Sequence, residues 1–246
     1  MIRLIFLLIF VFPLFAQDVS YETALDLYKQ GEYKKSVSVI KALHIAGQKS
    51  FQSFYLEAHN NIKLKHFKTA TSKLESALLI ENNPAGIIDL VKLLLKRDHV
   101  SEARELAEKS IITYPQNLDL RMIHAMTLYR SKKPKGALFA IEQIKAMDQG
   151  KGPLLMEAMI YYRLGEYEKS EMSLKWVLEI DENNSEAMNN LALVYEKIAL
   201  RLSNEKDKRS KLEDARFYLE KAKDLDSENK AIIGNLSRIS ERLNES

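Results

Sequence analysis

The side chains able to do chemistry in this 246-residue chain are few, and their spacing narrows that chemistry quickly. Histidine occurs at His44, His59, His66, His99 and His124, without the His-Glu-x-x-His spacing that lets one helix face hold zinc. His59 and His66 could share a face only if no turn separated them, and a turn is expected near Lys65. Cysteine is absent, which excludes disulfides, thiolate metal sites, thiol nucleophiles and a lipid-anchor cysteine. Gly150 and Gly152 lack the spacing and the following Lys-Ser/Thr of a phosphate-cradling loop. Asp181-Glu182-Asn183-Asn184 has carboxylates in a row, but no alternating ligands, central glycine or distal glutamate, so it reads as a turn rather than a calcium loop. Trp176, the single tryptophan, is expected to pack inside. No catalytic residue, metal site or cofactor is expected, and the chain reads as a non-enzyme.

Charge points the same way. Thirty-seven basic and 34 acidic residues leave a formal charge of +3, without the concentrated basic face that phosphate backbones need. Apolar residues (46%) suffice for a core, and scarce glycine (8) and proline (5) favour helices over short strands. The first sixteen residues stand apart: Arg3, an apolar run from Leu4 to Phe15 broken by Pro13, then Ala16 before Gln17-Asp18. This is the pattern of a secretory signal peptide with a mature start near Gln17. An uncleaved anchor and a buried core helix are the alternatives; the run is shorter than a bilayer span.

The elements that would position any site repeat along the chain. Ser36, Ala70, Ala103, Ala137, Ser170 and Ala215 recur at intervals of 34, 33, 34, 33 and 45. In phase with them run Ile40, Leu74, Ala107, Ile141, Leu174 and Leu219, and then Leu43, Ala77, Ser110, Ile144, Val177 and Ala222. An earlier column holds Ala24, Ala58, Val91, Ala125, Ala158 and Ala192. Three- and four-residue apolar spacing makes two sticky helices per unit, and small residues let them approach closely. Gly31, Lys65, Asp98, Lys132 and Gly165 fall at the turn between them; Asn82-Asn83-Pro84, Pro115-Gln116-Asn117, Gly150 to Pro153 and Asp181 to Asn184 separate units.

This pattern resembles the tetratricopeptide repeat (TPR), a helix–turn–helix unit of about 34 residues. The resemblance implies an all-α, right-handed superhelical solenoid of about six helix pairs over residues 17–246. Repeats would start near 17, 51, 84, 118, 151 and 185, with an elongated sixth pair at 185–229 and a capping helix at 230–246 whose Arg238, Glu241 and Arg242 face water. One column departs from the family: where leucine is usual, Thr23, Glu57, His124 and Glu157 stand beside Leu90 and Leu191. The eleven extra residues of the sixth unit read as longer helices with a solvated tip near Ser203–Ser210, either a surface elaboration or a protruding arm.

In this family first helices line a concave groove. The resemblance therefore implies a trough containing Tyr28, Lys29, Tyr55, His59, Lys63, Lys96, Met122, Met126, Tyr129, Arg130, Met156, Met159, Tyr162 and Arg163. The basic ladder reads either as a binding edge or as helix-end charge complementing the dipole, and the methionines as adaptable contact surface or as core filling. The three-helix carboxylate clamp of chaperone-tail-binding members is not matched, except at Asn190. The expected role is a protein-interaction scaffold of the cell envelope, holding a partner peptide or protein, acidic with apolar anchors, and not nucleic acid. The alternatives are an accessory subunit of an envelope enzyme or of a secretion or pilus assembly complex, and a helical-repeat nucleic-acid binder. The expected location is the periplasm, with secretion or inner-membrane anchoring through an uncleaved signal as alternatives.

Overall fold

The computed structural model describes residues 19–148 and 150–245. The signal-peptide reading of residues 1–16 lies outside them. Among the described residues the chain is all-α, an array of thirteen helices without a strand. None of these helices is long and apolar enough to cross a membrane.

The chain divides into two compact units at Arg97/Asp98. The N-terminal unit holds α1 (Tyr21–Lys29), α2 (Tyr33–Ile45), α3 (Phe51–Lys63), α4 (Phe67–Ile80) and α5 (Pro84–Lys96). The C-terminal unit holds α6 (Val100–Thr113), α7 (Leu118–Arg130), α8 (Pro134–Lys145), α9 (Lys151–Leu164), α10 (Tyr167–Ile180), α11 (Ser185–Ala199), α12 (Glu205–Leu225) and α13 (Lys230–Glu245).

First and second helices begin differently, for a local reason. Five of the six first helices start behind a polar cap: Ser20, Ser50, Asn83, Asn117 and Asn184 each accept a hydrogen bond from a backbone N–H of the opening turn, and α9 starts behind Gly150 without one. The second helices of the first five pairs start without a side-chain cap, just after a residue with positive φ. That residue is Gly31, Lys65, Asp98, Lys132 or Gly165, with φ between 58° and 80°. Around it the chain makes the paired bonds that close a helix C-terminus: the N–H of Glu32 reaches Leu27 O at 2.8 Å and that of Gly31 reaches Tyr28 O at 3.0 Å. The same pairs recur at His66/Lys65, Lys133/Lys132 and Glu166/Gly165. Three of the five turns therefore hold a side chain in the left-handed region, where glycine is the relaxed choice.

The four apolar columns form the core. All their members are at most 3% exposed. The two serines in the small column also pair identically: Ser36 Oγ donates to Ala24 O at 2.7 Å and Ser170 Oγ to Ala158 O at 2.8 Å. Each hydroxyl satisfies itself on the facing helix, so serine is tolerated where two helices cross.

The sixth pair differs from the sequence expectation. Its turn is Leu200–Asn204, not Ser203–Ser210, and the added length goes mainly into α12, which has 21 residues against 15 in α11. Asn204 caps the N–H groups of Lys206 and Asp207, so helix begins at Glu205. Pairs such as Arg209–Glu213, Lys211–Asp214 and Arg216–Glu220 then run along its surface. The added turns back the terminal helix: Leu212 joins the core of Ile239 and Leu243, and Arg209 donates to Leu243 O.

The capping helix also needs correction. Arg238 and Arg242 do not simply face water. They converge on the carboxylate of Glu196, which is 5% exposed at the side chain, at 2.9 and 3.0 Å. Burial pushes the Glu196 carboxyl up, but the hydrogen bonds and charges of the two guanidiniums prevail and hold it below the usual range. Asn235 adds a bond to Asn189, and together these contacts latch α13 onto α11.

Candidate functional site

The expected groove residues of the N-terminal unit lie on α1, α3 and α5, where most are engaged by neighbouring side chains. Tyr28 leans on Tyr33 with ring centroids 5.5 Å apart. Lys29 is exposed and pairs with Asp26, and Lys63 is exposed at the end of α3. Lys96 sets its ammonium 4.1 Å from the ring centroid of Phe67. Tyr55 and His59 meet at Asp89, a residue the sequence reading did not select. The Tyr55 hydroxyl donates to Asp89 Oδ2 at 2.5 Å and His59 Nε2 lies 3.0 Å from the same oxygen. Burial pushes the Asp89 carboxyl up, yet the bonds from His59 and Tyr55 leave it lowered. Burial and the bond to Asp89 raise the Tyr55 phenol. Phe51 stacks on Tyr55 at 5.2 Å, which completes an aromatic face along α3.

The same unit contains an apparent nucleophile–base–acid row. His44 Nε2 lies 2.8 Å from Ser53 Oγ, and its Nδ1 lies 3.5 Å from Glu57 Oε2. Ser53 is 2% exposed, and its hydroxyl accepts from Ser50 N–H and donates to Ser50 O as part of the cap of α3. Glu57 is buried against the Lys73 ammonium at 3.1 Å. A nucleophile must reach a substrate, and this buried hydroxyl is spent on its own helix end and on His44.

The C-terminal unit is arranged differently. Met156 is 6% exposed inside the core of α7, α8 and α9, and Met122 and Met126 pack against that core half-buried. Core filling therefore accounts for Met156, a correction to its reading as groove surface. Met159, 37% exposed, faces outward. With Tyr129 and Tyr162 it lines a pocket of about 170 Å³ between α7, α9 and α11, with Asn190, Leu193 and Val194 of α11 on the far wall and Ser170 and Leu174 of α10 also lining it. Arg163 lies over Tyr129, 4.8 Å from the ring centroid. Arg130 is exposed at the end of α7. Burial raises the Tyr162 phenol, with Tyr167 and Glu196 adding to the effect. Tyr129, Met159 and Tyr162 were selected from the sequence. Leu193 and Val194 were not, although their i+3 and i+4 spacing from Asn190 places them on one face of α11.

The departures in the leucine column are also explained here. Glu157, 100 residues after Glu57, is buried and accepts from Lys145 Nζ and Ser173 Oγ, both at 2.8 Å. Each buried carboxylate thus has a lysine from a second helix as counter-ion. His124 has its pKa lowered, by burial first. Trp176 corrects its packing assignment: it is 44% exposed, with the Lys145 ammonium 5.7 Å from its ring. Among the described residues no group of three or more His, Asp or Glu side chains is arranged to hold a metal ion.

No family model matches the chain, and no curated protein matches it. Among solved structures, it is similar to a thermophilic TPR protein of Thermus thermophilus, with TM-score 0.63 and 20% identity over 77% of this chain and 98% of that one. A tetratricopeptide repeat protein of Parabacteroides merdae gives TM-score 0.72 and 12% identity over 92% and 86%. Human IFIT1, solved as a dimer with PPP-AAAA, gives 0.65 and 14% over 91% and 56%. At these identities the likeness speaks for architecture, and the chain has a TPR-like, all-α repeat fold.

Proposed function

We propose that this chain is a non-catalytic interaction scaffold of the cell envelope, and that the first-helix face of its C-terminal unit holds a partner peptide. The observation that carries the reading is the pocket between α7, α9 and α11. Its walls are apolar and aromatic, with the amide of Asn190 and the Ser170 hydroxyl, itself bonded to Ala158 O, as the polar groups besides the tyrosine tips. Apolar walls with few polar groups suit an apolar anchor side chain. Tyr129 and Tyr162 offer large contact area with hydrogen-bonding tips, and Met159 adapts to shape. Arg163, held on Tyr129, and Arg130 give the face a positive edge, which favours acidic residues flanking the anchor.

The envelope location rests on the N-terminal sequence pattern: an export signal over residues 1–16 and a mature start near Gln17. Cell fractionation with intact-mass measurement tests it, and a full-length cytoplasmic chain would refute it. For the groove, the chain is used to capture partners from envelope extract and compared with Arg130→Glu/Arg163→Glu and Met159→Glu variants. Reduced capture by both is expected. Undiminished capture by both would remove the groove reading.

A further inference from the structure

A second surface lies on the opposite helices of the same unit. On α8 with the turn just past it, α10 and α12, positions i, i+4 and i+8 form three rows across the outer side. The first row is Phe139, Met172 and Phe217; the second is Gln143, Trp176 and Lys221; the third is Met147, Ile180 and Leu225. The seven apolar members are between 44% and 62% exposed. The helices are neighbours on this side: the Lys145 ammonium of α8 sits by Trp176 of α10, and Lys175 of α10 lies within electrostatic reach of the Asp214 carboxylate of α12.

The repeat supplies an internal control. At the same nine positions of the α2, α4 and α6 segments stand Ser38, Ala42, Ala46, then Ser72, Ser76, Ile80, then Glu105, Lys109, Thr113. One large apolar residue there, against seven in the later segments, shows that the fold does not require apolar groups at these sites. They are also not core, since they stand in solvent.

We propose that this face is the contact between two copies of the chain, closed by a two-fold axis that runs alongside α10, parallel to it and in the plane of contact. Such an axis sets α8 of one copy opposite α12 of the other and keeps the rows. Phe139 then meets Phe217, Met147 meets Leu225, and Met172, Trp176 and Ile180 each meet themselves. The two polar positions, Gln143 and Lys221, occupy the same row on opposite flanks, so each amide oxygen receives the partner's ammonium. Every position finds a match of its own kind, which is the requirement of an isologous interface. Half-exposed side chains of this size expose roughly 700 Å² in all. That exceeds the few hundred Å² of apolar patch on an ordinary monomer and approaches the roughly 800 Å² per partner of a standard interface. The charges around the rows are mixed in sign (Glu142, Lys175, Glu179, Glu220), which suits self-pairing better than an anionic lipid surface.

Sedimentation equilibrium of the purified full chain tests the proposal, with the emission of Trp176, the chain's single tryptophan, as a local reporter. A concentration-dependent dimer is expected, with emission shifting to the blue as the dimer forms. Gln143→Lys sets two ammoniums against each other and should weaken dimerisation by at least about tenfold. Adding Lys221→Glu to it restores an opposite-charge pair and should restore the dimer, which excludes misfolding as the cause. A chain that stays monomeric with concentration-independent Trp176 emission, or a dimer indifferent to Gln143→Lys, overturns the proposal.

Discussion

The two units share one repeat and use its surfaces differently. In the N-terminal unit the polar groups of neighbouring first helices bond to each other: Tyr55 and His59 of α3 close on Asp89 of α5. In the C-terminal unit the corresponding face opens a pocket between Tyr129, Met159, Tyr162 and Asn190, and the outer helices carry bare aromatic and aliphatic side chains. The columns that build the core are equally buried in both. The difference shows that the repeat's core and its surfaces vary independently, so function must be read from residues outside the four core columns.

The largest expected effect breaks this contrast on the N-terminal side. Lys73→Met leaves Glu57, 1% exposed at the side chain, without its ammonium. A buried charge stripped of its partner costs about 3–5 kcal/mol, read as a fall in urea midpoint. Glu57→Leu, which removes the charge and restores the family's usual residue, should be neutral or stabilising. A harmless Lys73→Met would mean that Glu57 does not depend on this ammonium for its burial.

Next comes the latch in the C-terminal unit. Removing both Arg238 and Arg242 should cost about 2–3 kcal/mol, discounted because both guanidiniums are partly exposed. Hydrogen exchange should rise first in α13. The latch also has a pH signature. The Glu196 carboxyl is lowered in the folded chain, so its contribution is full above the unfolded glutamate value, about 4.3, and is lost as pH falls through the folded one. His44 and His124 are lowered too, mainly by burial, so the folded chain prefers them neutral and loses stability as pH falls through the unfolded histidine value, about 6.5. Thermal midpoints should therefore fall in two stages on acidification, and the double arginine variant should lose part of the acidic stage.

The smallest effect sharpens the comparison through the turns. Lys65→Gly in one unit and Lys132→Gly in the other relax a left-handed residue that has a side chain. Relief of that strain, about 1 kcal/mol, is opposed by glycine's greater freedom in the unfolded chain. A net gain of a few tenths of a kcal/mol is expected at each, measured as a small rise in thermal midpoint.

Much of this was legible in the sequence, because the core columns report a periodicity that packing enforces at every repeat. The turn column was legible too, since Gly31 and Gly165 marked a backbone geometry that Lys65, Asp98 and Lys132 share. What escaped depends on side chains whose partners lie far along the chain. Glu196 stands where other repeats have tyrosine or an aliphatic residue, and only its distance to Arg238, 42 residues on, reveals the latch. Asp89 is one acid among 34 until Tyr55 and His59 close on it. Trp176 was misplaced because a large ring was presumed internal; its period with Met172 and Ile180, opposite Ser170, Leu174 and Val177, already set it on the outer side.

The central claim is that the C-terminal unit's first-helix face is where a partner sits. A photo-crosslinking amino acid placed at position 159, in living cells, tests it most directly, with position 63 of the N-terminal unit as the comparison. The account predicts a discrete adduct at 159 that is lost when Tyr162→Glu sets a charge in the pocket wall, and little at 63. Adducts at 63 with none at 159, or adducts at 159 indifferent to Tyr162→Glu, would contradict it.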